Sequence, residues 1–308
     1  MDSVLSGRKI AVLGGDAREL ILIEQLLKMG AVLAVAGFPR NMTPAGAHYN
    51  STAESACEDA EAVILPLSGT GTNGQIRAVY HPGELLLTET AIKKTASKAV
   101  VIVGSARPFL REWSEKFDFI LLESIENDEL AILNSIPTAE GAVQIAMEET
   151  EITISGSKCC VLGLGRVGMT LARILKALGA EVFVISRKKS ELARASEMGC
   201  RKGGFDDLAD LLGKVDIVFN TVPALVLNES VLRKAHPEIL IIDIASKPGG
   251  IDFKAAGALG IKAVLAPGLP GKVAPVSSGK ILAAIIPQLL IKAWEEADDN
   301  LFLGCEEV

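Results

Sequence analysis

Gly163, Gly165 and Gly168 stand at the spacing G-x-G-x-x-G, with Leu164, Arg166 and Val167 between them. Three glycines so placed suit one piece of chemistry, the seating of a pyrophosphate against backbone. The first permits a tight turn out of a strand, the second carries no Cβ to collide with the phosphates, and the third lets the next helix pack close to the sheet. Backbone N–H groups at the helix start, those of Arg166 and Val167 among them, then point at the anion. Alone the spacing is weak. Here it follows an apolar run at 159–162, opens a helical pattern over 169–178, and precedes a second apolar run, Glu181–Ile185. That is a βαβ unit of about thirty residues, the setting in which the fingerprint signifies a dinucleotide.

The second run ends in Ser186, Arg187 and Lys188. A carboxylate there would accept a hydrogen bond from a ribose 2′-OH and repel a 2′-phosphate, whereas a hydroxyl and two cations suit the extra phosphate. NADP is therefore favoured as the cofactor, with NAD possible.

Other reactive side chains lie where further strands are expected to end. Asp16 and Arg18 follow Gly14-Gly15 at a helix start, where anions are favoured; Asp16 suits a ligand site or a plain helix cap. The polar loop 67–74, containing Thr70 and leading to Arg77, Tyr80 and His81, fits a carboxylated substrate or a flexible connection. Later come Asn220-Thr221-Val222-Pro223, then 243–250 with Asp243 and Lys247, then 266–275 with Lys272. All three segments are expected at the nicotinamide end, with Thr221, Val222 and Pro223 against the cofactor. Arg18, Arg77, Lys247 and Lys272 are candidate clamps for substrate carboxylates, Arg by a bidentate grip and Lys as a point charge or base; each is otherwise a solvated loop cation. Gly and Pro fix the loops around Lys247 and Lys272, and Asp243 is placed to orient one of these lysines. His48, His81 and His236 are scattered, and no Ser/His/Asp or Cys/His arrangement suggests a covalent nucleophile.

The elements that must position these residues read as α/β. Continuous apolar runs at Lys9–Leu13, 31–36, 62–67, 99–103 and 117–122 alternate with helical stretches, as do 215–219, 239–243 and Lys262–Leu265 after the glycine loop. Such runs imply parallel sheets covered on both faces. With 308 residues, two domains are expected. The reading is two doubly wound parallel-sheet domains with a cleft and hinge between them. Residues 1–137 and 278–308 form a discontinuous flavodoxin- or Rossmann-like substrate domain, and 138–277 the NAD(P)-binding Rossmann domain. Pro137 marks the boundary at a helix start, the apolar stretch 278–297 returns to the first domain, and the acidic tail from 295 is expected to fray.

Composition excludes several classes. A net charge of −7 with 4% aromatic residues argues against a nucleic-acid surface. No uninterrupted apolar run is long enough to span a bilayer and the start lacks a signal-peptide pattern, so a cytoplasmic protein without a membrane partner is expected. Cysteines 57, 159, 160, 200 and 305 form no C-x-x-C pair, so neither a disulfide nor structural zinc is expected.

With these loops in view, the chain resembles the dipicolinate synthase A subunits of spore-forming bacteria along nearly its whole length. The likeness is carried by 11–18, Ser68-Gly69-Thr70 with Gly74-Gln75-Ile76-Arg77, Pro137-Thr138-Ala139-Glu140-Gly141-Ala142, 161–172, 242–250 and 267–275. The last two segments are far more specific than the fingerprint. The resemblance implies oxidation of a dihydrodipicolinate-level intermediate, a small dicarboxylate heterocycle, to dipicolinate with NAD(P)+ as acceptor. It also implies that the partner is a flavoprotein-like B subunit, and that the place is the mother-cell cytoplasm during sporulation. Two rival readings stand beside it: another NADP-linked dehydrogenase of the shikimate or methylenetetrahydrofolate type, and a cofactor-binding scaffold inert without its partner.

Overall fold

The structure, a computed structural model, describes residues 4–303. The chain divides into two compact units, Met1–Ala131 with Pro275–Val308, and Ile132–Ala274.

The first unit holds β1 (Lys9–Leu13), β2 (Val32–Ala36), β3 (His48–Asn50), β4 (Ala62–Ile64), the short hairpin β5 (Gln75–Ile76) and β6 (Leu85–Leu86), β7 (Val100–Val103) and β8 (Ile120–Glu123). Its sheet has the order β3-β2-β1-β4-β7-β8, and every pairing in it is parallel. The central strands are apolar throughout because helices cover both faces, so residues of either parity are buried. Strand 117–122 begins later than expected. The helix Pro108–Phe117 takes its first residue, and Asp118 closes that helix in the left-handed region.

Helix Pro275–Leu303 belongs to this unit and packs against helix Ala17–Lys28, burying Leu282, Ile285, Ile286 and Leu290. Gly279 permits the approach, since a Cβ there would lie 2.6 Å from Ile21 Cδ1 and 3.1 Å from Arg18 O. By length and composition this helix would suffice to cross a membrane. In the fold its apolar side is core. Residues expected to fray instead continue the helix to Leu303; residues 304–308, with Cys305, lie outside the described residues.

The second unit holds β9 (Lys158–Leu162), β10 (Glu181–Ile185), β11 (Arg201–Gly203), β12 (Ile217–Asn220), β13 (Leu240–Asp243) and β14 (Lys262–Leu265). Its parallel order, β11-β10-β9-β12-β13-β14, reverses direction between β9 and β12. This is the doubly wound dinucleotide-binding order, and the first sheet repeats it once the hairpin is set aside. One face is packed by Leu171, Leu175, Ala142 and Ala146, the other by Leu208, Leu212, Leu232 and Ala256.

Pro137 does not start a helix. It lies inside the single helix Asp128–Glu149. Proline removes only its own N–H from the ladder, and the neighbouring side chains satisfy nearby carbonyls: Thr138 Oγ1 donates to Asn134 O at 2.8 Å and Ser135 Oγ to Ile132 O at 2.6 Å.

Candidate functional site

In open parallel sheets ligands bind beyond the strand carboxyl ends where the order reverses. Each unit has one such point, and the two differ in what their helix N-termini offer.

In the first unit the helix after β1 is closed by its own side chains. Asp16 is the N-cap and accepts Arg18 N–H at 3.1 Å, while Asp16 N–H donates to Glu19 Oε2 at 2.8 Å, a complete capping box. The Arg18 fork also grips Asp16, Nε to Oδ1 at 2.8 Å and the NH2 group to Oδ2 at 2.9 Å. Asp16 thus caps the helix, and this part of the Arg18 fork is already spent, which leaves the exposed Arg77 as the more open clamp of the two. Burial raises the pKa of both carboxyls. For Asp16 the Arg18 guanidinium outweighs burial and holds it below its ordinary value; for Glu19, 2% exposed, burial wins and pushes it up to about 7. Thr70 is buried, its carbonyl accepts Arg107 Nε at 3.1 Å, and its Oγ1 has no hydrogen-bond partner among the described residues.

In the second unit the corresponding helix, Arg166–Ala177, is open. Its N-cap is Gly165, without any side-chain cap, and a Cβ at Gly165 would meet nothing within 4 Å. Gly163 has φ +82, and a Cβ on it would lie 2.7 Å from Thr221 Oγ1; one on Gly168 would lie 2.2 Å from Gly163 O. The turn, the clear approach and the close helix each need the glycine found there. First-turn amides of a helix have no intrahelical acceptor, so an uncapped N-terminus facing open space fits a pyrophosphate.

The neighbouring loops are rigidly built. Thr221 Oγ1 donates to Leu162 O at 2.7 Å, so its hydroxyl braces the glycine turn, with Val222 beside it and Pro223 exposed. Asp243, fully buried, accepts Asn220 Nδ2 at 2.8 Å, Ala245 N–H at 3.1 Å and Gly250 N–H at 3.0 Å. Its carboxylate therefore anchors the loop that carries exposed Lys247, and these contacts bind backbone and Asn220, not a lysine. Lys272 is exposed on a short helix, Leu269–Val273, that replaces the expected open loop. At the end of β10, Ser186 is buried while Arg187 and Lys188 are exposed. Sequence reasoning missed Glu191, whose carboxylate accepts Ser186 Oγ at 2.6 Å, and Asn220, the partner of Asp243. No spacing announces either contact, because each joins separate elements.

Comparison with known proteins decides the family. Residues 9–125 match the N-terminal domain of the dipicolinate synthase A subunit, and 136–247 the NAD binding domain of D-isomer specific 2-hydroxyacid dehydrogenases. The dipicolinate synthase A subunit of Bacillus subtilis (strain 168) is 41% identical over 294 residues, 95% of this chain and 99% of that one. The chain belongs to the family of dipicolinate synthase A subunits. The crystal structure of the Bacillus subtilis protein superposes with a TM-score of 0.87 at 40% identity, covering 96% of this chain and all of that one. That of the Bacillus halodurans protein gives 0.88 at 41% identity, over 93% and 98%. The glycine loop thus lies in a Rossmann domain of the nicotinamide-cofactor, dehydrogenase kind.

Proposed function

We propose that this chain is the dinucleotide-dependent component of a dipicolinate synthase and oxidises a dihydrodipicolinate-level intermediate to dipicolinate. The observation that carries the reading is the end-to-end likeness to a protein of that name, combined with an uncapped glycine-loop helix. In this account Ile132–Ala274 is the dinucleotide-binding domain and the other unit the substrate domain. Bound at the glycine loop, a nicotinamide dinucleotide supplies the hydride acceptor. Ser186, Arg187 and Lys188 favour NADP+, with NAD+ the alternative.

Removing a hydride and a proton from a dihydropyridine forms an aromatic ring, so the driving force is large. The protein needs chiefly to align the ring and neutralise two carboxylates. Lys247, on the loop anchored by Asp243, and Lys272 are the cations offered by the second unit; Arg77 and the unpartnered Thr70 hydroxyl are those groups offered by the first. A buried hydroxyl without a partner costs about 1–3 kcal/mol, and a substrate carboxylate would satisfy it. The name of the relatives also motivates a partner, the B subunit, here taken to be flavoprotein-like, and a place in the cytoplasm of a sporulating cell. Purified protein, alone and with its B subunit, incubated with dihydrodipicolinate and NADP+ should form reduced cofactor, read by absorbance. Turnover of shikimate or methylenetetrahydrofolate with none of dihydrodipicolinate would overturn the assignment. So would full activity of the assembled pair carrying a Lys247→Ala chain, the result expected of an inert scaffold.

A further inference from the structure

Glu191 is the third residue of helix Lys189–Glu197. A glutamate at that position ordinarily turns back to accept the amide of the residue capping its own helix. In this chain the capping amide, Lys188 N–H, donates to Ser186 Oγ at 3.1 Å. Glu191 reaches elsewhere. Its Oε2 accepts Leu164 N–H at 3.2 Å and the Ser186 hydroxyl at 2.6 Å, and its Oε1 lies 3.2 Å from Lys188 Nζ. Leu164 belongs to the glycine loop and Ser186 ends β10. The carboxylate therefore bridges the two walls of the place where an adenosine ribose lies in this kind of fold. An amide, a hydroxyl and an ammonium are also the donors that a phosphate monoester takes. Burial raises the pKa of this carboxyl, and the bonds from Ser186, Leu164 and Lys188 outweigh it, leaving it below its ordinary value and ionised at neutral pH.

We infer that Glu191 is an internal occupant of the 2′-phosphate subsite: a 2′-phosphorylated dinucleotide must displace it, while a 2′-hydroxyl dinucleotide keeps it as the acceptor for its ribose. The inference rests on the dinucleotide reading above and refines it. Ser186, Arg187 and Lys188 attract the extra phosphate, and Glu191 opposes it by holding two of the same donors. The balance sets the ratio in which the chain takes NADP+ and NAD+. Two anions cannot share these donors, because like charges at contact distance repel strongly in a half-buried site.

The test is a binding titration of the full chain with NADP+, NAD+, 2′,5′-ADP and 5′-ADP, before and after Glu191→Gln. Glutamine keeps the length and an acceptor for Leu164 N–H while removing the charge. NADP+ and 2′,5′-ADP should bind the variant roughly tenfold more tightly, and NAD+ and 5′-ADP no more tightly than before. Glu191→Ala, which empties the subsite, should show the same gain for the phosphorylated pair and a loss for NAD+. If the 2′-phosphorylated ligands bind both variants no better than the wild type, with NAD(P)+ binding otherwise intact, the inference is overturned. Binding of none of the four to the wild type would instead overturn the dinucleotide reading itself.

Discussion

Alanine at Gly165 and alanine at Gly168 should damage this protein in opposite ways. A methyl at Gly168 would stand 2.2 Å from Gly163 O and 3.0 Å from Gly163 C, both backbone atoms. Non-bonded carbon and oxygen settle near 3.3–3.6 Å, so the helix Arg166–Ala177 must retreat from the turn by about 1 Å. Overpacking on that scale costs about 1–3 kcal/mol, and a chain of this size loses about 2–4 °C of Tm per kcal/mol. Gly168→Ala should therefore lower Tm by roughly 3–10 °C without any ligand. A methyl at Gly165 meets nothing within 4 Å, and φ −73, ψ −163 suits alanine. Its ligand-free Tm should match the wild type to within about 1 °C. The same methyl enters the space through which a pyrophosphate approaches, so the rise in Tm that a saturating dinucleotide gives the wild type, about 2.7 kcal/mol at a hundredfold excess over Kd, should vanish. Thermal unfolding with and without NADP+ reads both effects. A wild-type-sized rise in Gly165→Ala would falsify the placing of the phosphates on this loop.

Glu19 ionises only near pH 7 in the folded chain, against an ordinary value of 4.5. The folded state therefore binds the extra proton, and stability falls as pH rises from about 4.5 to about 7. Glu19→Gln keeps an acceptor for Asp16 N–H and should flatten that fall, gaining up to roughly 3 kcal/mol at pH 8 over pH 4.5 relative to the wild type; parallel denaturant-unfolding curves for the two proteins across this range would contradict it. Asp243→Asn turns one acceptor into a donor opposite Asn220 Nδ2 or Gly250 N–H. It should cost about 2–3 kcal/mol and raise hydrogen exchange across 244–250, with unchanged exchange the adverse result. Arg187→Asp should raise the KM for NADP+ far more than that for NAD+; equal rises would remove the basis for the NADP+ preference.

The parallel sheets and the glycine loop were legible because buried strands write continuous apolar runs and the fingerprint demands glycine at fixed places. Elements with neither signature were missed. His48–Asn50 and Arg201–Gly203 are three-residue edge strands with largely exposed side chains, and Gln75–Ile76 with Leu85–Leu86 is a two-residue ladder. Pro137 misled because proline is tolerated within a helix when nearby hydroxyls satisfy the carbonyls around it. The site followed the same division. Asp16 and Arg18 were seen as reactive groups, yet their pairing with each other needed the folded turn. Glu191, Asn220 and the partners of Asp243 come together only through tertiary contacts that no local spacing encodes.

A crystal structure of the full chain grown with NADP+ tests the central claim most directly. The account predicts the diphosphate seated on the backbone of residues 163–168 and the 2′-phosphate against Ser186, with Glu191 turned away. A loop that stays empty at saturating cofactor, or a dinucleotide seated instead on the capped helix after β1, would contradict it.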